Sequence, residues 1–460
     1  MKFKDLTLDT IVTLAKHRGF IFPGSEIYGG LSNSWDYGPL GVLLKNNVRD
    51  AWWKFFVQER GDIIGLDAAI LMNPKVWEAS GHVSNFNDPL VDCKKCKSRF
   101  RADHLIEEAD ASLDVSKMTL SDMSAFIHEK KIACPKCGEK DFTDVRKFNL
   151  LFETSLGTVE GQKQTVYLRG ELAQGMFVDF KRIVDSMHIK LPFGIAQVGR
   201  VFRNEITPGN FTFRTLEFDL MEFEYFIKPE EWKEKFDYWL AEMQRWLESI
   251  GISKEATRVR EHSSEELSHY SQRTVDIEYL TPFGWKELCG FAYRTDFDLK
   301  NHSEKSGQDL SMIDSANGQK FIPHVLEPTF GLTRHVLFLM LECYDEEEVK
   351  GEKRVVMRFP ARLAPYQVAV LPLSKKPELA AISQPLAQKL RQSFSTDYDE
   401  TQSIGKRYRR QDEIGTPYCV TVDFETINDN AVTIRDRDSM QQERIALDKV
   451  EEYLKQKIQP

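Results

Sequence analysis

The segment VFRNEITPGNFTFRTLEFDLMEFEYF, residues 201–226, constrains this chain more than any other stretch. Two runs rich in β-branched and aromatic residues flank a Pro208-Gly209 turn, a pattern that reads as an antiparallel hairpin. Arg203 and Glu205 are expected on the first strand, and Arg214, Glu217 and Phe218 at the start of the second. Residues two apart on a strand share a face, so Arg203 and Glu205 project together. Arginine suits a phosphate because its planar fork donates two parallel hydrogen bonds. Two readings stand at this point: a surface hairpin laced with ion pairs, or one wall of a site for a phosphorylated ligand.

A second element favours the site. Glu327-Pro328-Thr329-Phe330-Gly331-Leu332-Thr333-Arg334 precedes an apolar run at 336–341. Gly331 ends an extended piece and a helix begins, which puts Arg334 in the first turn of a buried helix. That is a costly place for an unpaired cation and a natural one for a charge that meets an anionic or aromatic ligand. The chain has no Walker phosphate loop and no G-x-G-x-x-G after a strand, so the commonest nucleotide-binding routes are excluded.

Around these elements the pattern alternates. Leu43, Val48, Trp52, Phe55 and Phe56 recur at helical spacing behind Gly38-Pro39-Leu40-Gly41, predicting a long amphipathic helix over 39–60. An Ile- and Leu-rich run after Gly61 reads as a buried strand through Ile70, with Gly65 marking a close approach or a bulge. Extended segments at 165–168, 195–203, 214–226 and 274–280 have an antiparallel-sheet rhythm. A helix is predicted over 229–250, with Trp232, Phe236, Trp239, Leu240, Met243 and Leu247 on one face. Beyond a charged stretch at 346–354, and Pro360 and Pro365, the texture changes. Strands at 368–373, 420–424 and 432–435 and helices at 378–394 and 446–457 predict a small α/β domain with a largely buried sheet.

Seven cysteines among 460 residues are too few and too unevenly placed for a disulfide framework, which fits a reducing compartment. Cys289, Cys343 and Cys419 sit singly among apolar neighbours, as small core residues do. The other four form two C-x-x-C pairs, Cys93 with Cys96 and Cys134 with Cys137. With about 37 residues between the pairs, the spacing suits four thiolates on one tetrahedral zinc. The alternative is a knuckle without metal; no thioredoxin-like βαβ unit surrounds either pair to support a redox role.

Sixty-two basic against 71 acidic residues give a net charge of -9, so any polyanion site must be local. The densest basic stretch, Lys406, Arg407, Arg409 and Arg410, is either a solvated face or a binding patch. No apolar run approaches the ~18 residues of a membrane helix. The start carries Asp5 and Asp9 where a signal peptide has a basic end and an apolar middle, so a cytosolic protein is expected.

Together these motifs carry a resemblance. The hairpin looks like motif two of class II aminoacyl-tRNA synthetases, residues 327–334 look like motif three, and Pro39 with its helix and following strand looks like motif one. Further segments join them: Arg169-Gly170-Glu171-Leu172-Ala173-Gln174, Trp285-Lys286-Glu287-Leu288, Arg294-Thr295-Asp296-Phe297-Asp298-Leu299 and Ala364-Pro365-Tyr366-Gln367-Val368-Ala369-Val370-Leu371-Pro372. Nearly the whole chain, in order, resembles the dimeric, single-chain glycyl-tRNA synthetase family of bacteria. The resemblance implies an α+β catalytic domain built on an antiparallel sheet, in two parts at 1–92 and 141–350. A zinc-knuckle-like insertion at 93–140 and an α/β anticodon-binding domain at 361–460 complete it. The implied partners are glycine, ATP with Mg2+, tRNA(Gly) and a second copy of the chain, with dimerisation through the motif-one helix and its wide aromatic stripe of Trp52, Trp53, Phe55 and Phe56.

The same resemblance implies roles. Arg203 binds the α-phosphate, Phe218 and Arg334 sandwich the adenine, Arg214 reaches the terminal phosphate, and Glu205 and Glu287 lie around the nucleotide and its magnesium. Asn204, Phe213, Glu217, Leu288 and Gly331 complete the ATP set, and Arg203, Glu205, Arg214 and Arg334 form the catalytic group. For glycine it nominates Glu171, Glu222 and Glu327 around the ammonium, with Thr329 closing the pocket, Arg101 and Arg294 nearby, and Phe218 and Met221 beside them. Where the family usually has Thr, Arg and Gln, this chain has Leu172, Leu216 and Leu220, and Thr329 replaces the usual Ser. Two rivals are a class II ligase of another amino-acid specificity and a non-catalytic, synthetase-like nucleic-acid-binding subunit. The second should lack the phosphate arginines, which this chain keeps.

Overall fold

Seven strands form the main sheet: β1 (Ile63–Gly65), β2 (Phe193–Phe202), β3 (Glu217–Ile227), β4 (Thr257–Glu261), β5 (Arg273–Thr281), β6 (Gly284–Thr295) and β7 (His324–Gly331). Their order is β4-β5-β6-β7-β3-β2-β1, antiparallel throughout except that β1 runs parallel to β2. The computed structural model describes residues 6–110, 112–159, 163–264, 266–314 and 317–458, so Asp5 and the last two residues lie outside the described residues.

Alternation along β3 explains how the sheet is covered. Met221, Phe223, Tyr225 and Ile227 face a large core, while Leu220 and Phe226 face a smaller one. Six helices supply the layers: α1 (Leu8–Arg18), α2 (Pro39–Trp53), α3 (Ala173–Met187), α4 (Trp232–Ser249), α5 (Phe297–Ser306) and α6 (Leu332–Cys343). On the first face Trp52 and Phe56 meet Trp239 and Trp246 of α4 and Phe330 of β7, all fully buried. Each such ring contributes about 2 to 3 kcal/mol by leaving water. On the second face Phe177 and Phe180 of α3 pack on Phe193 and Phe226.

The predicted helix over 39–60 is realised in two pieces. Pro39 supplies the first turn of α2, and after Trp53 the chain widens into a π-helical turn, Lys54–Gln58, which carries Phe56 into the core. Trp52 and Phe56 are core residues, whereas Trp53 and Phe55 are half-buried. Gly41 lies so close to the preceding segment that a Cβ there would stand 1.8 Å from the Phe20 carbonyl oxygen. Gly65 is a close approach too, its would-be Cβ 2.5 Å from the Trp53 ring.

Other expectations are corrected. The strand predicted through Ile70 ends at Gly65, its pairing with β2 closing on the Leu66 N–H, which donates to the Ala196 carbonyl at 2.8 Å; Ile70 is exposed. The segment 165–168 is not in the main sheet: Gln164–Tyr167 pairs only with Glu153–Leu156 in a separate ribbon. The Pro208-Gly209 turn is a longer connection, residues 203–216, containing a short helix at Phe211–Phe213. Arg203 and Glu205 therefore stand just beyond the end of β2 instead of on it.

After α6 a hairpin, β8 (Tyr344–Val349) and β9 (Glu352–Met357), occupies the charged stretch. Its Arg354 is fully buried, pairing with Glu347 and Asp412 and donating to the Arg437 carbonyl. The C-terminal sheet contains β10 (Val368–Pro372), β11 (Thr396–Tyr398), β12 (Tyr418–Val422), β13 (Ala431–Asp436) and β14 (Gln442–Ala446), in the order β11-β10-β12-β13-β14. It is covered by α7 (Pro377–Leu390), α8 (Ile404–Ile414) and α9 (Val450–Ile458). The predicted last helix starts later than Ala446, because residues 442–446 form an edge strand paired with β13, exposed except for the partly buried Ile445.

Residues between β1 and α3 include three strands, Asn87–Asp92, Arg99–Arg101 and Arg146–Asn149, with two helices, Ala102–Ala109 and Leu120–Glu129. Val91, Leu105, Ile106, Ile127 and Phe142 give this unit its own core. Cys289, Cys343 and Cys419 are buried as expected. Among the described residues no helix is long and apolar enough to cross a membrane.

Candidate active site

A pocket of about 580 Å3 opens where the β2–β3 connection meets the junction of β7 and α6. Arg203 and Arg214 enter from the connection, Arg334 from the first turn of α6, and Glu287 from β6; Phe218, Leu220 and Thr329 form the floor. The three arginines predicted from distant parts of the chain are thus brought together. Arg203 donates from Nε to the Gly170 carbonyl at 3.1 Å and lies 5.3 Å from the Phe86 ring centroid and 5.4 Å from that of Phe218. Arg334 lies 4.5 Å from the Phe213 ring centroid, and its Nη1 stands 3.0 Å from Glu287 Oε1. Arg214 has a looser partner, Glu205, at 4.0 Å. Burial pulls the Arg214 pKa down despite Glu205, and Arg101 and Arg334 add like charge. Arg334 beside it holds the Glu287 carboxyl below the usual range.

Behind Thr329 the character of the cleft reverses. Arg294 is fully buried and every nitrogen of its guanidinium is engaged: Nε and Nη2 on Asp298 at 2.8 and 2.9 Å, and Nη1 on Glu327 at 2.7 Å. The ring of Tyr270 stacks over it with its centroid 3.8 Å away. Glu171 is held by Gln174 at 2.8 Å and His82 at 3.2 Å, with Arg294 at 3.7 Å. Thr329 donates to Glu222 at 3.2 Å. Burial raises the Glu171 pKa, but His82 and Arg294 outweigh it and hold this carboxyl well below the usual range. Glu222 and Glu224 go the other way, pushed well above it by burial and by the neighbouring Glu327. Glu327 itself is lifted by burial to about 7, against the pull of Arg294.

Some nominated residues stand elsewhere. Met221 and Leu288 are buried in the large core, one residue out of phase with Glu222 and Glu287, so strand alternation turns their side chains away from the pocket. Glu217 pairs with Arg200 at 3.0 Å outside the pocket lining, and Asn204 engages the Leu150 carbonyl through its backbone N–H. Arg101 pairs with Asp88 at 2.8 Å and Asp103 at 2.5 Å. Its charge acts on Arg214 and Glu205, at the arginine-lined end of the pocket and not among the buried glutamates. Of the four departures, Leu220 and Thr329 line the pocket and Leu172 packs in the core that Leu220 joins. Sequence reasoning missed Glu224, His82, Tyr270 and the threonines Thr212, Thr215 and Thr333 that line the pocket. Glu224 was detectable as the i+2 partner of Glu222 in an otherwise apolar strand.

The four predicted cysteines also meet. Cys93 and Cys137 sulfurs are 3.7 Å apart, as are those of Cys96 and Cys134, and all four lie within 4.8 Å of one another. Ligands on a tetrahedral zinc at ~2.3 Å are separated by about 3.8 Å, so the donor set fits such an ion. In the C-terminal domain the basic run divides. Arg407 is fully buried, donating to the Pro372 and Asp399 carbonyls at 2.6 and 2.8 Å, and Arg410 pairs with Asp399, which leaves Lys406 and Arg409 toward solvent.

This sheet, with one arginine pair on the β2–β3 connection and a third at the start of α6, defines a class II synthetase core. The family described as "tRNA synthetase class II core domain (G, H, P, S and T)" matches residues 157–403. "Glycyl-tRNA synthetase insertion domain 1" matches 110–150 and "Anticodon binding domain" 367–457. The glycine–tRNA ligase of Geobacillus thermodenitrificans is 56% identical over 457 residues, covering 98% of both chains. That of Caldanaerobacter subterraneus is 56% identical and that of Bacillus anthracis 54%, each over 98% of this chain and 99% of the other. The chain belongs to the glycine–tRNA ligase family.

Proposed function

We propose that the chain joins glycine to the 3' end of tRNA(Gly) in two steps, both in the pocket where Arg203, Arg214 and Arg334 converge. In the first, a glycine carboxylate oxygen attacks the α-phosphorus of ATP and diphosphate leaves. In the second, a hydroxyl of the terminal nucleotide of tRNA attacks the activated carbonyl and AMP leaves. The observation that carries this reading is the juxtaposition of three guanidinium groups with a buried cluster of carboxylates behind Thr329. Two anions must meet in the first step, so the site has to neutralise charge and hold an in-line geometry more than it has to supply a base.

In this reading Arg203 binds the α-phosphate and Arg214 the terminal phosphate. Arg334 backs onto Phe213, so its other face and Phe218 form the adenine slot. Mg2+ neutralises phosphate charge when bound, and Glu205 and Glu287 are the oxygen donors in the lining that suit such a hard cation. Glu171, Glu222 and Glu327 receive the ammonium of glycine, with Thr329 closing the hole and Arg294 ordering the carboxylates from behind. A side chain on the substrate would meet these groups sterically, which excludes larger amino acids more strongly than the ~1 to 3 kcal/mol available per methylene in an apolar slot.

The domains are a catalytic part at 1–92 and 141–350, the insertion at 93–140 and the anticodon-binding domain at 361–460, where Lys406 and Arg409 are the members of the basic run free to meet RNA. The four cysteines hold a structural zinc, and the chain works as a cytosolic homodimer through the α2 region, where Trp53 and Phe55 stay half-buried.

Amino-acid-dependent exchange of pyrophosphate into ATP tests the activity: exchange with glycine alone is expected. Exchange with another amino acid supports a different specificity, and none supports a non-catalytic binder. Metal analysis should return one zinc per chain, and light scattering at micromolar concentration a dimer.

A further inference from the structure

Five buried carboxylates, those of Glu171, Glu222, Glu224, Glu327 and Asp298, surround one guanidinium, Arg294. Arg294 spends its contacts on Asp298, Glu327 and Glu171, and His82 faces only Glu171. Among the described residues no cation pairs directly with the other two: Arg294 acts on both, and Arg169 on Glu222, without a direct ion pair. Glu224 is fully buried and neither of its carboxylate oxygens has a hydrogen-bond partner among the described residues; the same holds for Glu222 Oε1. Oxygens of Glu222, Glu224 and Glu327 lie within 4.8 Å of one another. Carboxylates this close, away from water, cannot all be ionised together.

We propose that Glu222, Glu224 and Glu327 share protons while no amino acid is bound, and release them to solvent as the ammonium group of glycine enters, with Glu224 as the innermost holder. The inference rests on the reading of this hole as the glycine site and adds a proton inventory to it. Each O–H bond broken delivers its proton to the buffer, and the ammonium keeps all three of its own, so charge balances: one cation replaces another. The charged and titratable groups around the trio are Arg294 of β6, Arg169, Tyr270, Asp298 of α5 and Glu171 ahead of α3, the last paired with His82. Glu171 and Asp298 are already bonded to cationic or amide donors. The upward displacement of all three carboxyls by burial supports the same picture.

Calorimetry of glycine binding to the full-length protein, without ATP, tests this in buffers of different ionisation enthalpy at pH 7. The observed enthalpy should vary linearly with buffer, with a slope of about one proton released per glycine, and E224Q should lower that slope by half or more. In pyrophosphate exchange, KM for glycine should fall as pH rises from 6 to 8, by up to about tenfold per pH unit for each proton released, while KM for ATP stays level. A buffer-independent enthalpy in the unmodified protein overturns the proposal. So does an unchanged slope in E224Q, which would place the proton on glycine itself, or a stoichiometric metal ion that glycine displaces. Glycine that binds without releasing protons sinks this inference alone; glycine that neither binds nor drives exchange sinks the functional reading with it.

Discussion

Arg294 and Arg203 bring the same chemical group to one cleft under opposite terms. Arg294 is fully buried with every guanidinium nitrogen bonded, whereas Arg203 is half-buried with one hydrogen bond, to a carbonyl oxygen, and two aromatic neighbours. Arg214, 4.0 Å from its nearest carboxylate, resembles Arg203 in this. Charges that organise the protein are neutralised by the protein. Guanidinium groups left under-compensated in this way suit an arriving polyanion, because a preorganised cation already locked to a carboxylate would have to break that pair first.

The sharpest test is to delete one arginine of each kind. Arg294→Ala leaves Asp298 and Glu327 buried without their cation and should cost about 3 to 5 kcal/mol of stability, read from urea unfolding. A small loss would break the comparison. Arg203→Ala and Arg214→Ala should each reduce kcat/KM for glycine-dependent exchange by about 10²- to 10³-fold while shifting stability by less than about 0.5 kcal/mol.

A pH series sharpens the contrast from the carboxylate side. The folded state raises the Glu224 pKa above its unfolded value near 4.5, so between the two values the folded chain holds a proton that the unfolded chain has lost. Stability therefore falls with rising pH through that window, by up to about 1.4 kcal/mol per pH unit for one proton. E224Q removes this contribution, and its stability relative to the unmodified protein should climb from pH 5 upward. A constant offset would mean that Glu224 is ionised in the fold. The smallest effect is expected at Phe213→Leu, which removes the ring under Arg334. ATP binding should weaken by about 0.5 to 1 kcal/mol, seen as a few-fold rise in KM for ATP with that for glycine unchanged.

How much of this was legible in the sequence depended on whether a residue's role is set locally. The paired cysteines and the arginines of the hairpin and of the α6 start announce themselves by spacing and by residue type. Glu222 enters through its motif, whereas Glu224, on the same face of the same strand, has no role among the motifs and shows only as a second carboxylate two positions on. Met221 and Leu288 fall one position out of phase with Glu222 and Glu287 in a period of two, so their side chains face the core. Arg407 looked like surface charge, and only the Pro372 and Asp399 carbonyls, brought together by the fold, make it a buried clamp. The loop that carries Arg203 and Arg214 was read as a tight turn because Pro-Gly is a strong local signal, while the short helix at Phe211–Phe213 is held by packing: Phe213 stacks on Phe338 and Phe211 lies edge-on to Trp35.

Gly41 shows how far such tertiary control extends. One turn beyond it, Lys45 reaches Asp219 at 2.6 Å, and the Asp219 N–H donates to Thr333 Oγ1 at 3.0 Å, beside Arg334. A methyl at position 41 would collide with the Phe20 oxygen and lever the whole cylinder of α2 outward, dragging this train of contacts with it. The seating of Arg334 is thereby indexed to the omission of a single carbon atom on a neighbouring helix that shares its core.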